Sequence, residues 1–350
     1  MASRRVHLVG SVPLADAGAV FEAATEALGG AVPRLPDGET GARRVWVNFQ
    51  YGVLARHPAL EFAGPAIDPD AVVYEPLGAG SDYPTPTRLK LKTGVDPDSL
   101  TFDSLGYREA AIESYATFER LKAAGRIMPE CRFLVALPTP LAPLWPFVVS
   151  EDAPKVLPAY TRAFLAEVEA IRAAVPDDQL AIQWDVAVEF QIWEGLFPPL
   201  PGDSKAEILD RLAALGAAVP EAVELGYHLC YGDRGHKHFI EPTDTGHMVE
   251  VANGVFDRIG RRVDWLHLPV PRDRDDDAYF APLGTLRLPK ETELVLGLVH
   301  RTGGVAATRR RMAAAEKVVQ GFGIATECGF GRRDPSMIPE LLRIHAEAAG

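Results

Sequence analysis

An α/β barrel of eight parallel strands, each followed by a helix, is the fold class the sequence predicts, on three observations. Short apolar, β-branched segments alternate with amphipathic helical ones along almost the whole chain. The length of 350 residues suits one such barrel with elaborations. No Gly-x-Gly-x-x-Gly follows the first strand segment, which disfavours the alternative, an open doubly wound sheet.

The elements follow in order. Residues 6–10 read as the first strand and 15–28 as the first helix, with no signal-peptide core before them. A further strand is expected in the β-rich region 71–92. Then come a helix at 106–124, a strand at 132–137, a helix at 155–174 and a strand at 180–185. A helix at 205–217, a strand at 222–229, a helix at 244–259 and strands at 263–268 and 293–299 continue the alternation. A helix at 304–319, a strand at 323–327 and a helix at 336–348 complete it. No internal repeat and no shift in composition divides the chain. It reads as one domain, residues 1–350, a single TIM-type (β/α)8 barrel with an elaborated segment around 35–105.

Composition excludes several function classes. With 47% hydrophobic residues the chain can bury a large core, and its 29 prolines and 31 glycines are dispersed, as short loops require. A net charge of −12 opposes binding to nucleic acid, and the basic run Arg309-Arg310-Arg311 lies in a helical pattern that reads as a solvated face. No apolar stretch approaches the roughly 20 residues of a membrane span. Three scattered cysteines, Cys131, Cys230 and Cys328, point to reduced thiols and a cytoplasmic chain rather than a disulfide framework. The oligomeric state is not encoded in any such feature.

The reactive residues collect at predicted strand ends, where barrels of this class carry their chemistry. Ser11 follows the first strand, Asp185 ends Gln183-Trp184-Asp185, and His228 and Cys230 end the next strand. His267, His300 and Cys328 follow at three further ends, whereas Cys131 sits where a strand begins and belongs to the opposite, structural face. His228 and Cys230 are two apart on an extended segment, so their side chains share a face. With Cys328 from a distant strand they form a nitrogen and sulfur donor set of the kind zinc takes. Ligands this far apart suit a site assembled by tertiary structure with an open position for a substrate thiol. Taken alone, His-x-Cys is also a common core pattern. The loop Pro36-Asp37-Gly38-Glu39-Thr40-Gly41 with Arg43 reads first as turn chemistry, and secondly as a lid placing Asp37, Glu39 and Arg43 over the mouth. His236 and His238 lie in the loop after Cys230, either as substrate contacts or as surface.

Four segments resemble the catalytic C-terminal barrel of cobalamin-independent methionine synthase, in the superfamily that also holds uroporphyrinogen decarboxylase. Val9-Gly10-Ser11-Val12-Pro13 is similar to that family's Gly-Ser-Phe-Pro, Gln183-Trp184-Asp185 to its Gln-Ile-Asp, and His228-Leu229-Cys230-Tyr231 to its zinc-binding His-x-Cys-Tyr. Glu327-Cys328-Gly329 with Arg332 resembles its Asp-Cys-Gly. The resemblance implies Zn2+ held by His228, Cys230 and Cys328, and Asp185 holding the amino group of a thiol amino acid. Ser11 and Trp184, beside these motifs, join the substrate-contact candidates. The family's corresponding strand carries an aspartate-histidine pair, which makes His300 a candidate acid for the leaving group or a substrate contact; a hydrogen-bonded strand-end histidine is the alternative.

Three departures shape the expectation. Val186-Ala187 replaces the family's Glu-Pro after the aspartate, which removes part of the basis for homocysteine recognition. The strand expected to supply a fourth ligand, a glutamate, has none, and either His267 or water takes that place. The chain is expected to be a stand-alone barrel, lacking the N-terminal half of the long family members. The expected function is zinc-dependent alkyl transfer, methyl above all, to a small thiol activated as a zinc-bound thiolate. The donor would be a folate, a corrinoid protein or a small methylated compound. A thiol- or folate-dependent demethylase and a metal-free decarboxylase or lyase are the alternatives.

Overall fold

The computed structural model describes residues 4–72, 86–235 and 237–350. Its strands there are β1 (Arg34–Pro36), β2 (Leu60–Phe62), β3 (Leu89–Leu91), β4 (Arg132–Pro138), β5 (Leu180–Val186), β6 (Glu224–Leu229), β7 (Trp265–Pro269), β8 (Glu293–Val299) and β9 (Gly323–Thr326). Seven of them form one parallel sheet in the order β1-β4-β5-β6-β7-β8-β9, and β2 and β3 pair antiparallel as a separate ribbon. Helices fill the connections between the parallel strands, as parallel pairing requires.

The sheet is strongly curled. Strands β6 and β9 are three steps apart, about 14 Å if the sheet were flat, yet the thiols of Cys230 and Cys328, just beyond their ends, lie 3.8 Å from one another. The N-terminal segment spans the two edges. Val6 bridges Ile324 of β9, and Ser11 bridges Gly38 just after β1, both in parallel sense.

Alternation along the strands separates two cores. One face of each strand meets the helices in a large apolar cluster. On the other face a small plug of Val9, Leu134, Ala181, Trp265, Val295 and Ala325 fills the interior. Trp265 occupies that interior only because its neighbour in register on β6 is Gly226, where any Cβ would overlap the indole. Arg34 closes the layer from the strand-start end, 4.3 Å over the Trp265 ring and paired with Glu224 at 2.5 Å and Glu293 at 3.2 Å.

Several sequence expectations are corrected. Of the strand expected within 71–92, residues 73–85 lie outside the described residues, and the described part, β3, pairs with β2 rather than joining the parallel sheet. The strand beside β4 is instead β1, three residues ending in proline, too short for its periodicity to register. Residues 6–10 make one isolated bridge, at Val6, instead of a continuous ladder. Arg311 does not face solvent. It is buried and donates to the carbonyls of Leu298 and Arg272, tying the end of β8 to the loop after β7. Cys131 lies buried just before β4 begins, at the expected end. No helix among the described residues is long and apolar enough to cross a membrane.

Gly226→Ala tests the interior packing. The added methyl forces the Trp265 indole from its place and lowers the urea midpoint, at a cost on the order of 1–3 kcal/mol. An unchanged midpoint would contradict the layer described.

Candidate metal centre and the carboxylates beside it

Register builds the centre. Asp185 of β5 pairs with His228 of β6, and His228 pairs with His267 of β7, so three polar side chains form one row on the interior face. All three are buried. The His228 and His267 rings meet through their Nδ1 atoms at 2.6 Å. Nε2 of His228 has no hydrogen-bond partner.

Beyond the strand ends stand the thiols. Cys230 Sγ lies 3.8 Å from Cys328 Sγ and accepts the backbone N–H of Gly232 at 3.3 Å. Ligand atoms of His228, Cys230 and Cys328 all fall within 4.8 Å of one another, the one His/Cys/Asp/Glu trio of that kind among the described residues. Tetrahedral zinc with bonds of about 2.3 Å to sulfur places two thiolates about 3.8 Å apart, so the spacing found here fits. An orphaned buried imidazole nitrogen and a thiol already hydrogen-bonded by an amide are also what a metal would complete. With no cation, the neighbouring Cys230 and then burial push the Cys328 thiol well above its usual range, and a dication would reverse that.

The Gly-rich segment after Cys328 locks onto the N-terminal segment. Gly331 N–H donates to Ser11 Oγ at 3.2 Å and Phe330 N–H to Ser11 O at 2.6 Å, and a side chain at Gly329 would overlap Ser11. Ser11 therefore fixes the cysteine loop in place.

Beside His228, across the β5–β6 register, is a buried acidic cluster. Asp37 is committed to structure: it accepts from Glu39 N–H at 2.9 Å, from Arg43 at 2.7 Å and from Ser114 at 2.9 Å. That brace presents Glu39, whose own φ of 48° is left-handed and strained for a side-chain-bearing residue. Burial, then the nearby Asp185, raise Glu39 well above the usual carboxyl range, with Arg43 opposing them. Burial pushes Asp185 up to about 7 against hydrogen bonds from Gln183 and Trp46. Two carboxyls that repel in a dry site hold on to a proton and favour a cationic guest. Glu189, on the helix after β5, is likewise pushed by burial to about 7.

A third group flanks Cys328. Glu327 pairs with His238 at 3.1 Å and faces His300 Nδ1 at 3.7 Å. Burial would lower His238, but Glu327 and Glu241 outweigh it and hold it at about 9. His300 approaches the Val270 carbonyl through Nε2 at 2.8 Å, and burial lowers its pKa.

Of the candidates, His228, Cys230 and Cys328 come together, and Asp185, Glu39, Asp37 and Arg43 form the acidic cluster. His267 stands behind His228, outside the trio. Trp184 is corrected: its position on β5 turns it outward from Gln183 and Asp185, 6.4 Å from Phe164 of the helix Ala153–Ala174. His236 lies outside the described residues. Sequence reading gave no role to Gln183 or Glu327, although each stands in a motif beside a chosen residue, and missed His7, which carries no such signal.

No family model matches the sequence, and no curated protein does. Solved structures do. A B12-independent methionine synthase from Shewanella sp. W3-18-1, in complex with selenomethionine, matches over 100% of this chain and 97% of its own, at 13% identity and a TM-score of 0.54. A methyltransferase from Methanosarcina mazei matches over 100% of this chain and 94% of its own, at 12% identity and a TM-score of 0.53. These likenesses establish a shared fold, and the first is with the kind of enzyme whose motifs the sequence resembles.

The acidic cluster makes a stability prediction. Folded Asp185 keeps its proton to about pH 7, while the unfolded chain releases it near 3.8, so stability falls as pH rises between those values and stays lowered above them. Asp185→Asn should therefore raise Tm by a few degrees at pH 8 and by less at pH 5. A gain equal at both pH values, or a loss at pH 8, would refute the assignment.

Proposed function

We propose that this chain is a zinc-dependent alkyltransferase, for methyl groups above all, acting on a small thiol. We propose too that residues 1–350 form one closed eight-stranded barrel, with the 5–12 segment as eighth stave, working in the cytoplasm. The observation that carries the function is the convergence of His228, Cys230 and Cys328 at a tetrahedral spacing. The fold shared with a methionine synthase and a methyltransferase supports it.

His228 Nε2 and the two cysteine sulfurs would hold the ion, leaving a position for substrate. Bound zinc would let an incoming thiol react as thiolate at neutral pH. The chain's own groups do the rest. Asp185 and Glu39, beside one another, take the cationic amino group of the thiol compound and release their shared proton as it binds. Asp37, Arg43 and Ser114 hold Glu39 in place, and Ser11 holds the Cys328 loop. Burial excludes water that would compete for the electrophile. In the transfer a sulfur–carbon bond forms as the carbon–donor bond breaks, and the departing group takes a proton. His300, at the end of β8 with Glu327 opposite its Nδ1, would supply it. The donor, a folate, a corrinoid protein or a small methylated compound, would approach from the open mouth.

Purified protein should carry near one equivalent of zinc, and Cys230→Ser and Cys328→Ser should each lose it together with thiol-dependent methyl transfer. Asp185→Asn should keep the metal and lower kcat/KM for an amino-thiol by about 10–100-fold, the worth of a charged hydrogen bond. Zinc indifferent to both cysteine changes would sink the proposal.

A further inference from the structure

Two ring nitrogens 2.6 Å apart cannot both carry protons or both be bare: one donates and the other accepts. If His267 donated, neutral His228 would be protonated on Nε2, the one nitrogen that faces away from its partner, and could not bind a metal there. If His228 donates, its Nε2 is a bare lone pair, and neutral His267 carries its proton on Nε2. The donor set favours the second arrangement: Nε2 of each ring is buried without a hydrogen-bond partner, and only a bare His228 Nε2 completes a trio with the two cysteines. On the far side His7 offers His267 no competing proton. Trp265 Nε1, which can only donate, points at Gln183 Oε1 at 3.2 Å, while Gln183 Nε2 donates to Val9 O and Asp185. Oε1 is therefore the acceptor for His7 Nε2 at 2.8 Å, which leaves His7 Nδ1 bare.

We infer that His267 is a positioning residue and not a metal ligand: it accepts the Nδ1–H of His228 and thereby holds His228 in the tautomer that leaves Nε2 bare for a metal shared with Cys230 and Cys328. The inference rests on the zinc reading above for its purpose, but its geometry belongs to the chain itself. Imidazole as orienting acceptor does here what a carboxylate or carbonyl does behind most metal-binding histidines.

The test combines nitrogen-15 spectroscopy of histidine-labelled full-length protein with zinc affinity by chelator competition. In the zinc-free protein His228 should appear as the Nδ1–H tautomer, and adding zinc should give a coordination shift at His228 Nε2 and none at either nitrogen of His267. His267→Phe should weaken zinc about 10–100-fold. His267→Asn, whose Oδ1 replaces the Nδ1 acceptor, should recover most of that loss. A coordination shift on His267, equal losses in the two variants, or a His267→Phe variant with native affinity would each overturn the inference. A native chain that takes up no zinc would remove the proposed function, and the tautomer of His228 in zinc-free protein would still decide the positioning. Should the variants fail to fold, the native spectra decide alone.

Discussion

The curl of the parallel sheet is the constraint on which everything else depends. Cys230 and Cys328 are 98 positions apart and follow strands separated by two others, yet their sulfurs touch. Only a sheet bent round an interior brings those ends together, and the bend requires that the interior be filled. Trp265 over Gly226, with Arg34 beneath and the apolar plug around it, does the filling. Within that frame the register, not the loops, aligns Asp185, His228 and His267 in one row. Groups on a ladder are placed more rigidly than groups on loops, as metal ligation and substrate orientation both need.

The chain departs from the most stable arrangement where it would act. Asp185, Glu39 and Glu189 are carboxyls whose burial opposes ionisation, and Glu39 also holds a left-handed backbone conformation. Two thiols lie against one another, and the Cys230 thiol discourages ionisation of Cys328. Such features weaken a fold unless a guest relieves them, and they group at the strand-end side of the curled sheet. The strand-start end, by contrast, is a satisfied ion-pair network of Arg34, Arg132, Glu224 and Glu293.

Much of this was legible from residue order. Where a strand ends is visible in the pattern, so the positions of Asp185, His228, Cys230 and Cys328 followed from periodicity and their spacing. What stayed hidden is what periodicity does not carry. A three-residue strand such as β1 contains too few alternations to be seen, and a β-rich stretch such as β3 gives no sign of whether it pairs parallel or antiparallel. Trp184 illustrates the one-residue limit: next to Asp185 in sequence, it faces the opposite way because strand neighbours alternate. Ring-to-ring contacts such as His228 with His267 depend on inter-strand register, which one strand does not encode. The buried state of Arg311 likewise depends on two carbonyls brought from elsewhere in the chain.

The central claim is that the three converging side chains hold a metal with room for a thiol, and zinc K-edge X-ray absorption addresses it most directly. The account predicts two sulfur neighbours at about 2.3 Å and one imidazole nitrogen at about 2.0–2.1 Å, with a lighter atom completing the shell. Adding a small thiol should raise the sulfur count to three. A shell without sulfur, or a sulfur count indifferent to added thiol, would contradict it.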